Sequence, residues 1–338
     1  MSKLFKRKSD EPFNIKDFLN SNGLVLVVLL LIIYTSVKHP SFSSIQNLSN
    51  VLTNSSVRFI IAMGVSGTLI IRGTDLSAGR IVGLSAVITG TLVQKPDFVG
   101  RYFENLPDFP IIVPLIIVMV ISAIIGAFNG IVIAVFKVPP FLATLGSQIM
   151  IFGITMIYSE NKPIGTFTDK FLSLGRAKDP FFNAIPYLAI IAAIVGIIVW
   201  ILYAKTRYGK YMYAIGGNEE AAEVSGVNVA MTKIKIYIVA GLLYGLAGYL
   251  LTAKTGSAGA NAGGGYELEA IASATIGGVS TAGGEGTVLG ILKGVFVFEL
   301  LKTSLVFLSV SPEMTNVIQG LVIIVAVALD IRKTMERR

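Results

Sequence analysis

Four stretches of this chain, residues 23–37, 111–136, 185–203 and 236–253, contain no Asp, Glu, Lys or Arg. A bilayer's hydrocarbon core is ~30 Å thick and takes about 20 helical residues to cross, a length these stretches reach or approach. A helix on the surface of a soluble protein carries a polar stripe at period 3.6, and these stretches have none. The whole composition agrees. Charged residues are 14% of the 338 and apolar residues 53%, against about 25% charged in soluble proteins. The chain therefore reads as an all-α membrane protein.

Hydropathy predicts about ten crossings of roughly membrane length, over residues 22–37, 56–71, 81–93, 111–136, 141–159, 186–203, 232–253, 268–281, 287–309 and 314–331. The second, third and eighth are short and contain glycine. An even number puts both termini on one side. With the N-terminus in the cytoplasm, the inner segments hold Lys3, Lys6, Arg7, Lys8, Lys16, Arg72, Arg80, Lys137, Lys205, Arg207, Lys210, Lys233, Lys235, Arg332, Lys333, Arg337 and Arg338. The outer segments hold Lys38, Arg58, Lys95, Arg101, Lys162, Lys170, Arg176, Lys178 and Lys254. That excess favours an N-in, C-in topology. Residues 1–21 then form a cytoplasmic tail, 22–331 the transmembrane domain, and 332–338 a second cytoplasmic tail. The basic N-terminus is followed by Asp10, Glu11 and a long apolar run without a small-residue cleavage site, so the first span is expected to be retained.

The net charge of +8 is spread over short segments between apolar runs, with no continuous basic face, which argues against nucleic acid as a partner. The absence of cysteine excludes a disulfide framework and a Cys-based metal site. No G-x-x-x-x-G-K-[ST] run occurs, so the chain carries no nucleotide-binding P-loop of its own. Gly64-Val65-Ser66-Gly67 spells GxSG, but the only histidine, His39, lies just outside the first span and offers Ser66 no base.

The strongest local signal lies in the largest expected cytoplasmic loop, residues 204–231. Asn218 is suited to cap a helix, and Glu219 and Glu220 then occupy its first turn, where carboxylates complement the helix dipole. Gly226 is suited to the left-handed stop after the last turn. A helix of two turns is unstable alone in water, so the membrane domain or a partner must hold it. Glu220-Ala221-Ala222 followed by Gly226 resembles the EAA–x3–G motif of bacterial ABC importer permeases. Further runs resemble the monosaccharide branch of that family, which includes ribose and galactose permeases. They are Gly73-Thr74-Asp75-Leu76-Ser77-Ala78-Gly79-Arg80, Val138 to Gly146, Arg207 to Asn218, and Ala272 to Ser280. Pro139-Pro140 departs from the Thr-Pro or Asn-Pro usual in that branch.

The resemblance implies an inner-membrane permease subunit that works as two copies with ABC ATPase subunits and an extracytoplasmic sugar-binding protein. ATP and magnesium would sit on the ATPase, and Asn218, Glu219, Glu220, Ala221, Ala222 and Gly226 would engage it. No catalytic residue, cofactor or metal is expected in this chain. Galactose or a methyl galactoside is the expected cargo, with ribose or xylose the alternatives.

A neutral sugar needs hydroxyl, amide and aromatic partners, because each buried hydroxyl must be satisfied. Candidates in or near the spans are Asn54, Ser55, Asn129, Phe141, Thr144, Gln148, Asn316 and Gln319. Glu299 and Lys302, three apart in the ninth span, can share a face and are expected to pair. The spacings Gly79–Gly83, Gly126–Gly130, Gly241–Gly245 and Gly290–Gly294 allow close helix packing. Gly73-Thr74-Asp75-Leu76 and Gly265-Tyr266-Glu267-Leu268 echo one another on opposite expected faces, as an inverted repeat of the two halves requires. The rival function is an ion-coupled secondary sugar transporter, which needs intramembrane ionisable groups and gives no reason for the capped helix.

Overall fold

The computed structural model describes residues 15–107, 109–178 and 185–335. Those residues form thirteen α-helices, with β-structure limited to isolated bridges. Five helices are long and apolar enough to cross a membrane: α4 (Ile112–Ala134), α5 (Pro140–Ser159), α7 (Tyr187–Lys205), α10 (Val229–Thr255) and residues 312–332 of α13 (Pro312–Met335). Most of α10 is buried, whereas the others turn apolar side chains such as Ile124, Ile154, Ile197 and Ile324 outward. Apolar rather than polar outer faces are what lipid contact requires.

Three helices depart from the spans expected from hydropathy. The first, α1 (Ile15–Lys38), begins seven residues before the predicted span, so the last seven residues of the expected N-terminal tail are helical; residues 1–14 and 336–338 lie outside the described structure. The second, α2 (Ile45–Ile70), begins well before residue 56. Its first half carries Gln46, Asn47, Asn50, Thr53 and Asn54, which lower the hydropathy without breaking the helix. Ser44 starts it, its Oγ accepting from the Asn47 N–H at 3.2 Å. Arg58, placed outside by charge counting, is thereby moved to the middle of α2. The third departure is α11 (Tyr266–Ile276), where residues 268–281 were expected to cross. Eleven residues rise only about 16 Å, so α11 spans half the core. Its short counterpart α3 (Ala78–Leu92) rises about 22 Å.

The glycine pairs act as their spacing predicts. A Cβ on Gly126 would collide with the Tyr237 carbonyl, and one on Gly241 with the Ser122 carbonyl, so α4 and α10 cross backbone to backbone. Gly290 and Gly294 on α12 (Val288–Phe307) meet the carbonyls of Gly277 and Ser273 in the same way.

The order of elements repeats. A long helix, α2, breaks at residues 71–77 into short α3; a second long helix, α10, breaks at residues 256–265 into short α11. Packing is reciprocal, with α2 lying against α11 and α12, and α10 against α3 and α4. The first turns of α3 meet the second break, where Gly79 abuts Gly263 and Gly83 abuts Ala262. The echo between Gly73-Thr74-Asp75-Leu76 and Gly265-Tyr266-Glu267-Leu268 therefore sits at equivalent places, each beside the start of a short helix.

Candidate functional site

At one end of the bundle α7 gives way to α8 (Arg207–Gly217), which Thr206 caps. Asn218 is extended, with φ of −155°, and its Oδ1 accepts from the Ala221 N–H at 2.9 Å to open α9 (Glu219–Val224). Gly226 closes the element at φ +85°, in the left-handed region that favours glycine. The Val227 N–H then donates back to the Ala222 carbonyl at 3.1 Å. This is the capped two-turn element expected from the sequence, and the chain itself holds it at three points. Ala222 is buried against the core. Lys233 on α10 donates to both carboxylate oxygens of Glu219 at 2.7 Å. Arg72, just past α2, donates from Nε to the Gly216 carbonyl at 2.9 Å and from Nη2 to the Gly217 carbonyl at 2.6 Å. The opposite side of α9 is open: Glu220, Ala221 and Glu223 are exposed, and Val224 is 91% exposed.

Between the breaks lies a buried polar chain. Asp75 Oδ1 accepts from the Ser77 N–H at 3.0 Å and from its Oγ at 2.6 Å. Asn129 Nδ2 donates to Ser77 Oγ at 3.0 Å, and Ser147 Oγ donates to Asn129 Oδ1 at 2.5 Å. Thr144 Oγ1 accepts from the Leu76 N–H at 3.1 Å and donates to the Thr74 carbonyl at 3.0 Å. Asn129 and Thr144, candidates for sugar contact, thus have their polar groups taken up in fixing the turn at residues 73–77.

The other candidates scatter. Gln148 Nε2 donates to Glu267 Oε1 at 3.3 Å, which joins the two halves at mid-bundle. Ser55 is buried and lines a mainly apolar groove of about 520 Å³ between α2, α7 and α12. Asn54 on α2 is half-buried, Asn316 on α13 is exposed, and Gln319 is buried. Phe141, at the start of α5, is 53% exposed.

Glu299 and Lys302 do not pair with each other. Positions three apart on a helix differ by about 60° in direction, and α2 and α11 insert partners for each. Lys302 Nζ meets Glu269 Oε1 at 2.7 Å, Arg58 Nε meets Glu269 Oε2 at 2.7 Å, and Arg58 Nη1 pairs with Glu299 Oε2. The result is a chain of two cations and two anions across three helices, closed by the ring of Tyr266, 5.6 Å from the Arg58 guanidinium. Charges at membrane depth are costly unless paired, and here each has an opposite partner. The signal for this network was present in the sequence as charged residues in otherwise apolar runs, but the partners lie up to 241 positions apart.

Residues 47–327 match the model of a family described as the branched-chain amino acid transport system / permease component. The chain belongs to this family. Among individual relatives, it is 44% identical over the full length of both chains to the galactose/methyl galactoside import permease protein of Haemophilus influenzae. It is 41% identical to the protein of the same name in Escherichia coli, over 95% of this chain and 97% of that one. The ribose import permease protein of Bacillus subtilis is 38% identical over 92% and 93% of the two chains. No solved structure matches. A permease component is a transport subunit rather than an enzyme, so the bundle is to be understood as a pathway. The side of α9 that carries Glu220, Ala221, Glu223 and Val224 is exposed, whereas Ile71, Asp75 and Ser77 in the break at 71–77 are buried within the chain.

Proposed function

We propose that this permease is the membrane subunit of an ATP-binding-cassette importer for monosaccharides, with galactose or a methyl galactoside as cargo. The observation that carries the coupling half is α9. It is short, capped at Asn218, stopped at Gly226, clamped from behind by Lys233, and open in front. An element of this kind suits a cleft in a separate ATPase, with Glu220 and Glu223 offered to basic side chains and the small Ala221 allowing close approach. The cargo half is supported by 44% and 41% identity over nearly the full length to two relatives named for galactose, against 38% to the Bacillus subtilis relative named for ribose. Two copies would enclose the pathway, a sugar-binding protein would deliver cargo from outside, and alternating access would move it inward. ATP and magnesium belong to the ATPase, and this chain supplies no residue to them.

An ion-coupled secondary transporter is the rival reading. Four of the mid-bundle charges are unavailable to a coupling ion, since each of Arg58, Glu269, Glu299 and Lys302 is engaged with an opposite charge. Reconstitution with the ATPase and binding protein tests the cargo. Radiolabelled galactose should accumulate faster than ribose or xylose at matched concentration, and equal or inverted rates would overturn the galactose assignment. Glu220→Ala combined with Gly226→Val should abolish sugar uptake while the protein still inserts and binds lipid normally. Undiminished uptake by that variant would remove α9 from the coupling route.

A further inference from the structure

The break at residues 256–265 carries irregular backbone deep into the bundle. At its start Ala258 and Ile164 exchange backbone hydrogen bonds of 2.8 Å, just beyond the C-terminal end of α5. At its end Glu267 meets Gln148, the ninth of the twenty residues of α5. The segment therefore descends from one end of a membrane-length helix to its middle. Asn261, Gly264 and Gly265 along it are exposed. Non-helical backbone at membrane depth survives only where protein buries it or water lines it, so this face does not meet lipid tails.

Two charged side chains point along that segment. Arg80, the third residue of α3, lays its guanidinium 4.0 Å from the ring centroid of Phe152 on α5. Its Nη1 lies beside Gly264 and has no hydrogen-bond partner among the described residues. Glu267 is only 5% exposed; its Oε1 accepts from Gln148, and its Oε2, packed against Gly79, likewise has no partner. Unlike Arg58 and Glu269, this pair is left with an open donor and an open acceptor. Burying such groups unsatisfied is costly, so a ligand with both donor and acceptor character relieves them. Adjacent hydroxyls of a neutral sugar have that character, donating to a carboxylate and accepting from a guanidinium or an amide.

We propose that Arg80, Gln148 and Glu267 form a mid-membrane sugar subsite on the face where segment 256–265 runs, with Phe152 beside Arg80. The proposal rests on the pathway reading above and names its contacts. Of the residues singled out from sequence as sugar partners, it keeps Gln148 and replaces Asn129 and Thr144, whose polar groups are already used.

The chain has no cysteine, so Gln148→Cys and Leu268→Cys each introduce a single thiol. The assembled transporter, with its ATPase and binding protein, is placed in proteoliposomes and treated with a small polar thiol reagent. Galactose at saturation should slow modification at both positions, and sucrose should not. Glu267→Gln and Arg80→Gln should each lower the galactose moved per ATP hydrolysed by about tenfold, the loss of one charge-assisted hydrogen bond, with subunit assembly unchanged. If the thiols react but galactose gives no protection, and Glu267→Gln transports as the parent does, the subsite is refuted while the pathway face stands. If neither thiol reacts in any nucleotide state, the face holds no water and its assignment to the pathway falls as well. The protection assay decides the matter even where a charge variant fails to assemble.

Discussion

Arg58 sits between two carboxylates in the middle of α2, and the charge balance of three helices depends on it. Its removal would leave Glu269 with Lys302 as its bonded cation and Glu299 without its ion-pair partner. Breaking a buried pair from one side costs about 3–5 kcal/mol, because a charge is left uncompensated. Arg58→Gln should therefore lower the thermal unfolding midpoint of the detergent-purified permease sharply, and Arg58→Gln with Glu299→Gln should recover much of the loss. A double variant no more stable than the single one would show that Glu299 has another partner. None of this was legible in the sequence as a pairing. Glu299 and Lys302 looked like partners because they are three apart, and Arg58 looked like a loop residue because polar side chains precede it. Ion pairing of this kind is decided by which helices pack together, which hydropathy does not report.

At the scale of an element, α9 shows the opposite case. Caps, first-turn carboxylates and a left-handed glycine are local chemistry, so residues 218–226 could be read directly and the structure agrees with the reading. The sequence did not disclose the attachment behind them, because Arg72 reaches 144 and 145 positions along the chain to the carbonyls of Gly216 and Gly217. Ile70 at the end of α2 also accepts from the Gly284 N–H at 2.8 Å. The C-terminal end of α8 is thus bonded to Arg72, between the end of α2 and the turn that Asp75, Ser77 and Thr144 hold. Asn218→Ala should weaken the cap by about 1 kcal/mol, and its effect should appear in sugar moved per ATP rather than in the unfolding midpoint. Arg72→Ala should separate ATP hydrolysis from transport, and Arg72→Lys should restore it only in part, since one ammonium cannot reproduce the fork that spans two carbonyls. Equal coupling in the parent and Arg72→Ala would contradict this link.

For the molecule as a whole, the sequence made the membrane class plain, because uncharged runs of membrane length have few other uses. It also exposed the glycine spacings that bring α4 against α10. The number of full crossings was less legible, since α2 hides a helical half among polar residues and α11 stops after eleven. The same two features, a long helix broken into a short one, recur in both halves and place irregular backbone where a pathway needs polar walls. The mid-bundle face is not legible in the sequence, because Arg80 and Glu267 flank expected spans and become neighbours only where the start of α3 packs against segment 256–265 and α11.

The whole reading depends on an energy source outside this chain that acts through the capped element at residues 218–226. Galactose uptake by proteoliposomes holding the permease, its ATPase and the binding protein measures that directly, with ATP supplied or withheld and with proton and sodium gradients imposed or collapsed. Uptake that requires hydrolysable ATP and ignores the gradients is the predicted result. Uptake that persists without the ATPase chain and follows an ion gradient would contradict it.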